Sequence, residues 1–176
     1  MSERYFLIGT DESYEPLPLM IDVRKSIKEE YLEGESYKQA GISLVNIRNS
    51  FDDNTKYPDI MDQGIFMLSD EAYRIFKLYE PATVIKRVLL MGESSDEAYE
   101  YIIPILKRID CLSDRTTFRR GRYIDKGILI GKNIPDTALF KIPNVDGMCT
   151  VARLDFVESL LKRGMKGICL QTLEIE

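Results

Sequence analysis

The stretch Gly64–Leu90, GIFMLSDEAYRIFKLYEPATVIKRVLL, decides how this chain is read. Its opening apolar run, Ile65 to Leu68, has the composition of a short strand. Ser69 follows with a hydroxyl that can accept from the free N–H groups of a helix start, and Asp70 and Glu71 suit the positive end of the helix dipole. Ala72, Ile75, Phe76 and Tyr79 recur at i, i+3, i+4 and i+7, which makes one face of the predicted helix apolar. Pro81 cannot extend that helix, and Thr83 to Leu90, β-branched and aliphatic, predicts a second strand. The stretch therefore reads as strand, helix, strand.

Toward the C-terminus the theme returns. Met148 to Val151 is a short apolar run, a helix with Leu154, Val157, Leu160 and Leu161 on one side follows, Gly164 ends it, and Ile168 to Ile175 predicts a closing strand. The offset is about 84 residues, which aligns Val84 with Ile168, Tyr73 with Val157 and Phe76 with Leu160. Such a match arises either from the shared physics of any strand–helix–strand element or from an internal duplication. Between the two, Tyr99 to Leu112 alternates apolar residues onto one face. Pro104 interrupts it and predicts an edge strand or a bend, because proline has no N–H for a central ladder. Gly127 to Gly131 and Ala138 to Ile142 are further short extended pieces.

Toward the N-terminus, Gly41 to Ile47 and Arg4 to Ile8 predict strands. Arg24 to Glu33 predicts a helix with Ile27, Tyr31 and Leu32 inward, Glu29, Glu30 and Glu33 outward and Gly34 as its cap. Glu12 to Pro18, Asn49 to Pro58 and Gly92 to Glu97 are polar connectors; Asp52, Asp53 and Asn54 lack the spacing and closing glutamate of a calcium loop and read as a turn. The expected architecture is α+β: a mixed, largely antiparallel sheet carrying two strand–helix–strand units and an additional N-terminal helix. It forms a single domain over residues 1–176, with 1–57 as an N-terminal subregion.

Composition narrows function mostly by exclusion. The net charge of −5 does not suit a general nucleic-acid binder. The chain has no histidine, which removes the commonest general base, the commonest metal ligand and any Ser-His or Cys-His nucleophile system. The three cysteines, Cys111, Cys149 and Cys169, show no Cys-x-x-Cys spacing and read as small buried hydrophobes in a reducing compartment rather than a zinc site. No phosphate-cradling glycine loop and no nucleophile elbow is present. No metal or other cofactor is expected. No apolar run is long enough to span a bilayer or to serve as the core of a signal peptide, so a cytoplasmic location is expected.

Charge is segregated along the chain. Residues 1–35 carry nine acids and four bases; residues 107–132 carry eight bases and three acids. Arg115, Arg119, Arg120 and Arg122 crowd together with Phe118 and Tyr123 interleaved. Three readings compete for this cluster: phosphate or stacked bases, an internal counter-charge to residues 1–35, and a protein-binding surface. Arginine among aromatics is the composition of interface hot spots. Arg119, Arg120, Arg122 and Tyr123 are therefore the predicted partner-binding residues. Asp110, after the apolar run Ile102 to Ile109, is the carboxylate expected to be partly buried, with Arg115 as its partner.

Three segments resemble a known family. Pro58–Ile60 (PDI) with the following IFMLSDEA, then YIIPILKRIDCLSDR at Tyr101–Arg115, and VARLDFVESLLKRGMKGICL at Val151–Leu170 resemble, in order, characteristic segments of immunity protein family 11 of bacterial polymorphic toxin systems, formerly a domain of unknown function. The resemblance covers about residues 58–175 and makes 58–176 a family-like core. Pro104 stands where that family has a polar residue, and Ala152 where it has a helix-capping serine. The resemblance implies a non-enzymatic, cytoplasmic protein that neutralises a cognate toxin domain by direct binding, with no catalytic residues. The competing expectations are an adaptor or structural module, homodimeric through a sheet edge, and a carboxylate-based enzyme recognisable by a deep pocket lined with several carboxylates.

Overall fold

The computed structural model describes residues 4–20, 23–28, 32, 43–48, 54–92 and 98–176. In chain order the strands are β1 (Tyr5–Thr10), β2 (Leu19–Met20), β3 (Ser43–Arg48), β4 (Ile60–Asp62), β5 (Phe66–Ser69), β6 (Ile85–Gly92), β7 (Ala98–Pro104), β8 (Thr117–Arg119), β9 (Tyr123–Lys126), β10 (Ile128–Leu129), β11 (Leu139–Lys141), β12 (Thr150–Arg153) and β13 (Ile168–Ile175). The helices are α1 (Val23–Ser26), α2 (Asp70–Tyr79) and α3 (Leu154–Lys162).

The α+β class and the predominance of antiparallel pairing hold, but the single expected sheet is two sheets and a hairpin. One sheet runs β10-β13-β1-β12-β11, the other β2-β3-β6-β7-β5-β4, and β8 pairs with β9 alone. The reason lies in what fills the middle of each sheet. The strands flanking α2 do not pair with each other: β5 and β6 both pair antiparallel with β7, which lies between them. The strands flanking α3 are likewise separated by β1, antiparallel to both. Each helix thus crosses over a different central strand, and each crossover has its own sheet.

Period-two alternation splits β1, β5, β11 and β12 between two cores. Ile8 of β1, Phe66 and Leu68 of β5, Leu139 of β11 and Ala152 of β12 face one core, which Ala72, Ile75 and Phe76 of α2 and Phe156, Val157 and Leu160 of α3 complete. The rings of Phe76 and Phe156 meet edge-to-face at 5.8 Å, and Tyr79 meets Phe156 at 5.5 Å. The opposite face of the six-stranded sheet packs Met67, Val88, Leu90, Tyr101 and Ile103 under Val23 and Ile27. The opposite face of the five-stranded sheet packs Tyr5, Leu7, Phe140, Val151 and Leu173 under Cys111, Ile124 and Leu129.

Local chemistry explains the helix ends. The Ser69 hydroxyl accepts from the Ala72 N–H at 3.2 Å and donates to the Asp59 carboxylate, which also accepts from the Lys166 N–H at 2.7 Å. Asp59 therefore ties the start of α2 to the turn that leads into β13. At the other end of α2 the Glu80 carboxylate accepts from the Ala138 N–H at 2.8 Å and the Thr137 hydroxyl at 2.6 Å. α3 has no side-chain cap at Arg153, and the Asp155 carboxylate accepts from the Phe156 N–H at 2.9 Å instead.

Some expectations change. Pro104 is neither on an edge strand nor at a bend within one: β7 is interior, and Pro104 is its last residue, opposite Ile85 and beyond the β5 ladder, where no N–H is needed. Leu161 is half-exposed, and Phe156 takes the inward place instead. Of the helix expected over Arg24–Glu33, one turn is seen as α1; Glu29, Glu30, Tyr31, Glu33 and Gly34 lie outside the described residues, as do Asp52, Asp53 and most of the connector after Gly92.

The shared core predicts a sharp contrast within one helix. Phe156→Ala should cost about 3–5 kcal/mol in urea unfolding. Leu161→Ala should change stability by no more than about 0.5 kcal/mol. Equal costs would mean that the two sheets are not held through α3.

Candidate functional site

The predicted partner-binding residues all sit on the β8–β9 hairpin. Its tip is Arg120–Gly121–Arg122, with Gly121 at a positive φ of 76°. That is the left-handed region that glycine enters without a Cβ penalty. The hairpin is tied down along its length. The Arg119 guanidinium is bonded to the Asp125 carboxylate, and Lys126 pairs with Glu174 at 2.9 Å. The Gln171 amide donates to the Asp125 carbonyl at 2.8 Å. The Arg122 N–H donates to Asp146 at 3.0 Å, while its guanidinium donates to the Asn144 carbonyl and lies 5.9 Å from the Phe118 ring. Exposed ion pairs of this kind contribute little stability each, but they restrict where the side chains point.

Two of the four predicted residues are thus already engaged within the protein. Their partners among the described residues lie close by, at Asp125, Asn144 and Asp146. Arg120, at the tip, engages no partner among the described residues. Tyr123 is 52% exposed and Phe118 42%. The Tyr123 ring lies over Gly147, where a Cβ would come within 2.8 Å of it. Beside the ring runs a shallow, mainly apolar groove of about 560 Å³ lined by Leu7, Ile124, Met148 and Gln171 together with Arg119 and Arg120.

A second feature was not expected. Where β1 and β4 meet, joined by the Asp62 N–H donating to the Thr10 hydroxyl at 2.6 Å, the two sheets enclose a cleft of about 950 Å³. Gly9 pairs in register with Cys169, and continuation of the β1–β12 register places Cys149 on its other side. Both cysteines line the cleft. A side chain at Gly9 would collide with Met148 at 2.7 Å, so glycine is what leaves room for the Met148 side chain beside β1, with the Asp62 carboxylate close by. Lys141, at the end of β11, and Arg108 enter from the other side. They are brought together because Ile109 donates to the Lys141 carbonyl and Lys141 to the Lys107 carbonyl, both at 2.9 Å.

Burial pushes the Asp62 carboxyl up to about 6, against the pull of the neighbouring Lys141 ammonium. Burial also raises the Cys149 and Cys169 thiols, which keeps them protonated at neutral pH and poor as nucleophiles. All three cysteines are free, Cys111 wholly buried and its thiol pushed up to about 11. Among the described residues no group of three or more Cys, Asp or Glu is placed to hold a metal ion, and no helix is long and apolar enough to cross a membrane.

Asp110 is not the buried carboxylate. It is exposed, because Cys111 takes the inward position of that segment, and Arg115 pairs with Glu176 at 2.7 Å instead. The carboxyl that desolvation shifts is that of Asp62, half-buried in β4, and its signal was an acid standing directly after Ile60 and Met61 in an apolar strand. Compared with family models and with curated proteins, the chain matches none.

Asp62 makes stability depend on pH. Its ordinary value is 3.8 and its folded value about 6, so between those limits the folded chain holds a proton that the unfolded chain has lost. Ionisation of Asp62 therefore removes stability as pH rises through this window. Relative to wild type, Asp62→Asn should gain about 3 kcal/mol between about pH 4 and pH 7, read from urea midpoints at each pH. A difference independent of pH would place the carboxylate in water.

Proposed function

We infer that the chain is an immunity protein of a bacterial polymorphic toxin system, a cytoplasmic and non-enzymatic domain that neutralises a cognate toxin by binding it directly. The family reading draws on the three ordered segments between Pro58 and Leu170. On this reading β5–α2–β6 and β12–α3–β13 are two equivalent units: Phe66 and Thr150 open the first strands, and Asp70 and Leu154 the helices, each 84 positions apart.

The observation that carries the binding role is the hairpin. It presents two exposed aromatic rings and the uncommitted Arg120 beside an apolar groove, on a frame held by its own ion pairs. Side chains already fixed in place lose less freedom on association, which favours affinity. Arg119 and Arg122 serve mainly to hold that frame, and Arg120, Tyr123 and Phe118 make the contact.

The cleft supports a second reading. Asp11, Glu12, Glu15, Asp62 and Asp146 all line it, which is the feature expected of a carboxylate-based enzyme, and a carboxyl near 6 suits a general acid. Against it, Asp11 is engaged by the Ser13 hydroxyl at 2.7 Å and Asp146 by the Arg122 N–H, so two of the five carboxylates already accept hydrogen bonds within the protein. Turnover of a glycoside or ester panel, lost in Asp62→Asn, would establish the enzyme in place of the binder.

Co-purification of the full chain from its native cell should capture a toxin domain. With that partner, Arg120→Ala/Tyr123→Ala should weaken Kd at least ~10-fold, as hot-spot truncations costing ~2 kcal/mol do. Arg119→Ala should weaken it by less than the pair. Unchanged affinity in the folded double variant would remove the hairpin from the interface.

A further inference from the structure

The cleft and the hairpin groove are neighbours, since Asp146 and Met148 line both. Whatever lies along the groove reaches the mouth of the cleft. At about 950 Å³ the cleft is at the upper end of what small-ligand pockets offer. Its charge is one-sided: five carboxylates against Arg108 and Lys141. Glu12 and Glu15 are exposed at its rim, while Asp62 is at its floor. Part of the wall is apolar, from Phe66, Ile142 and Met148. Even half-buried, the Asp62 carboxylate is costly unless a cation meets it, and Lys141 offsets only part of that cost. The matching guest carries positive charge at the end of an aliphatic stem, the stem lying on the apolar wall and the head reaching the floor.

We propose that this cleft is a receptor for a basic side chain, arginine or lysine, projected from the bound partner protein, with Asp62 receiving its charge and Glu12 and Glu15 guiding it in. The assignment rests on the binding role argued above and adds the chemistry of the partner: a protruding basic residue beside the surface that meets Tyr123. Arginine fits better than lysine, because its planar fork can engage a carboxylate through two N–H groups.

The test does not need the toxin. The isotopically labelled full chain is titrated with acetyl-Gly-Arg-Gly-amide and followed by the backbone amide signals of Gly9, Asp62 and Gly64. Saturable shifts are expected, at least ~10-fold weaker in affinity in Asp62→Asn and in Glu12→Gln/Glu15→Gln, and unchanged in Leu161→Ala. The rim double variant carries the test if Asp62→Asn does not fold. Absence of saturable shifts, preference for the corresponding glutamyl peptide, or shifts that survive both carboxylate variants would overturn the proposal. Free arginine binding as tightly as the blocked peptide would also overturn it, by assigning the cleft to a small metabolite. Failure to capture any partner protein, with peptide binding intact, would instead count against the immunity role alone.

Discussion

The contact of Phe76 with Phe156 is the point on which the architecture depends. Beside the core that each sheet closes on its outer face, each offers its other apolar face to a helix, and the two helices face each other. Burying the two rings removes several hundred square ångströms of apolar surface from water. Polar ties then set the orientation rather than supply the bulk of the energy. The Tyr79 hydroxyl engages Ser159 and the Asp155 carbonyl, Glu80 reaches across to Thr137 and Ala138, and Asp59 joins the two helix-bearing segments at their other end. Because the sheets are clamped at the helices and again at β1–β4, the space left between them becomes the cleft.

Charge is handled locally in this protein. The segregation of acids toward residues 1–35 and bases toward residues 107–132 invites a long-range pairing, yet the Arg119 guanidinium binds Asp125, that of Arg122 the Asn144 carbonyl and that of Arg115 Glu176. The acidic loop that follows β1 is thereby left to rim the cleft, and the hairpin tip is left with one arginine to spend on something else.

What was legible in the sequence follows from range. The start, face and end of α2 could be read because Ser69, the i, i+3, i+4 spacing and Pro81 act within a few residues. The exposure of the arginine cluster could be read because no apolar alternation surrounds it. The topology could not, because nothing near Tyr5–Thr10 says that its partners are β12 and β13. Pro104 was misplaced for the same reason: a proline that ends an interior strand and one that marks an edge look alike until the neighbours are known. Asp62 was overlooked in favour of Asp110 because burial of an acid depends on which strand lies across from it, and here that strand is β1.

The central place of β1 has a consequence for how the chain comes into being. Synthesis proceeds from the N-terminus, so Tyr5–Thr10 leaves the ribosome well before the strands that must flank it, which arrive some 140 residues later. The six-stranded sheet has all its members by Pro104 and is free to assemble meanwhile. Until β12 and β13 emerge, β1 remains an apolar strand with two bare edges, the kind of segment that pairs with foreign chains. The five-stranded sheet thus forms only after Ile168–Ile175 has emerged.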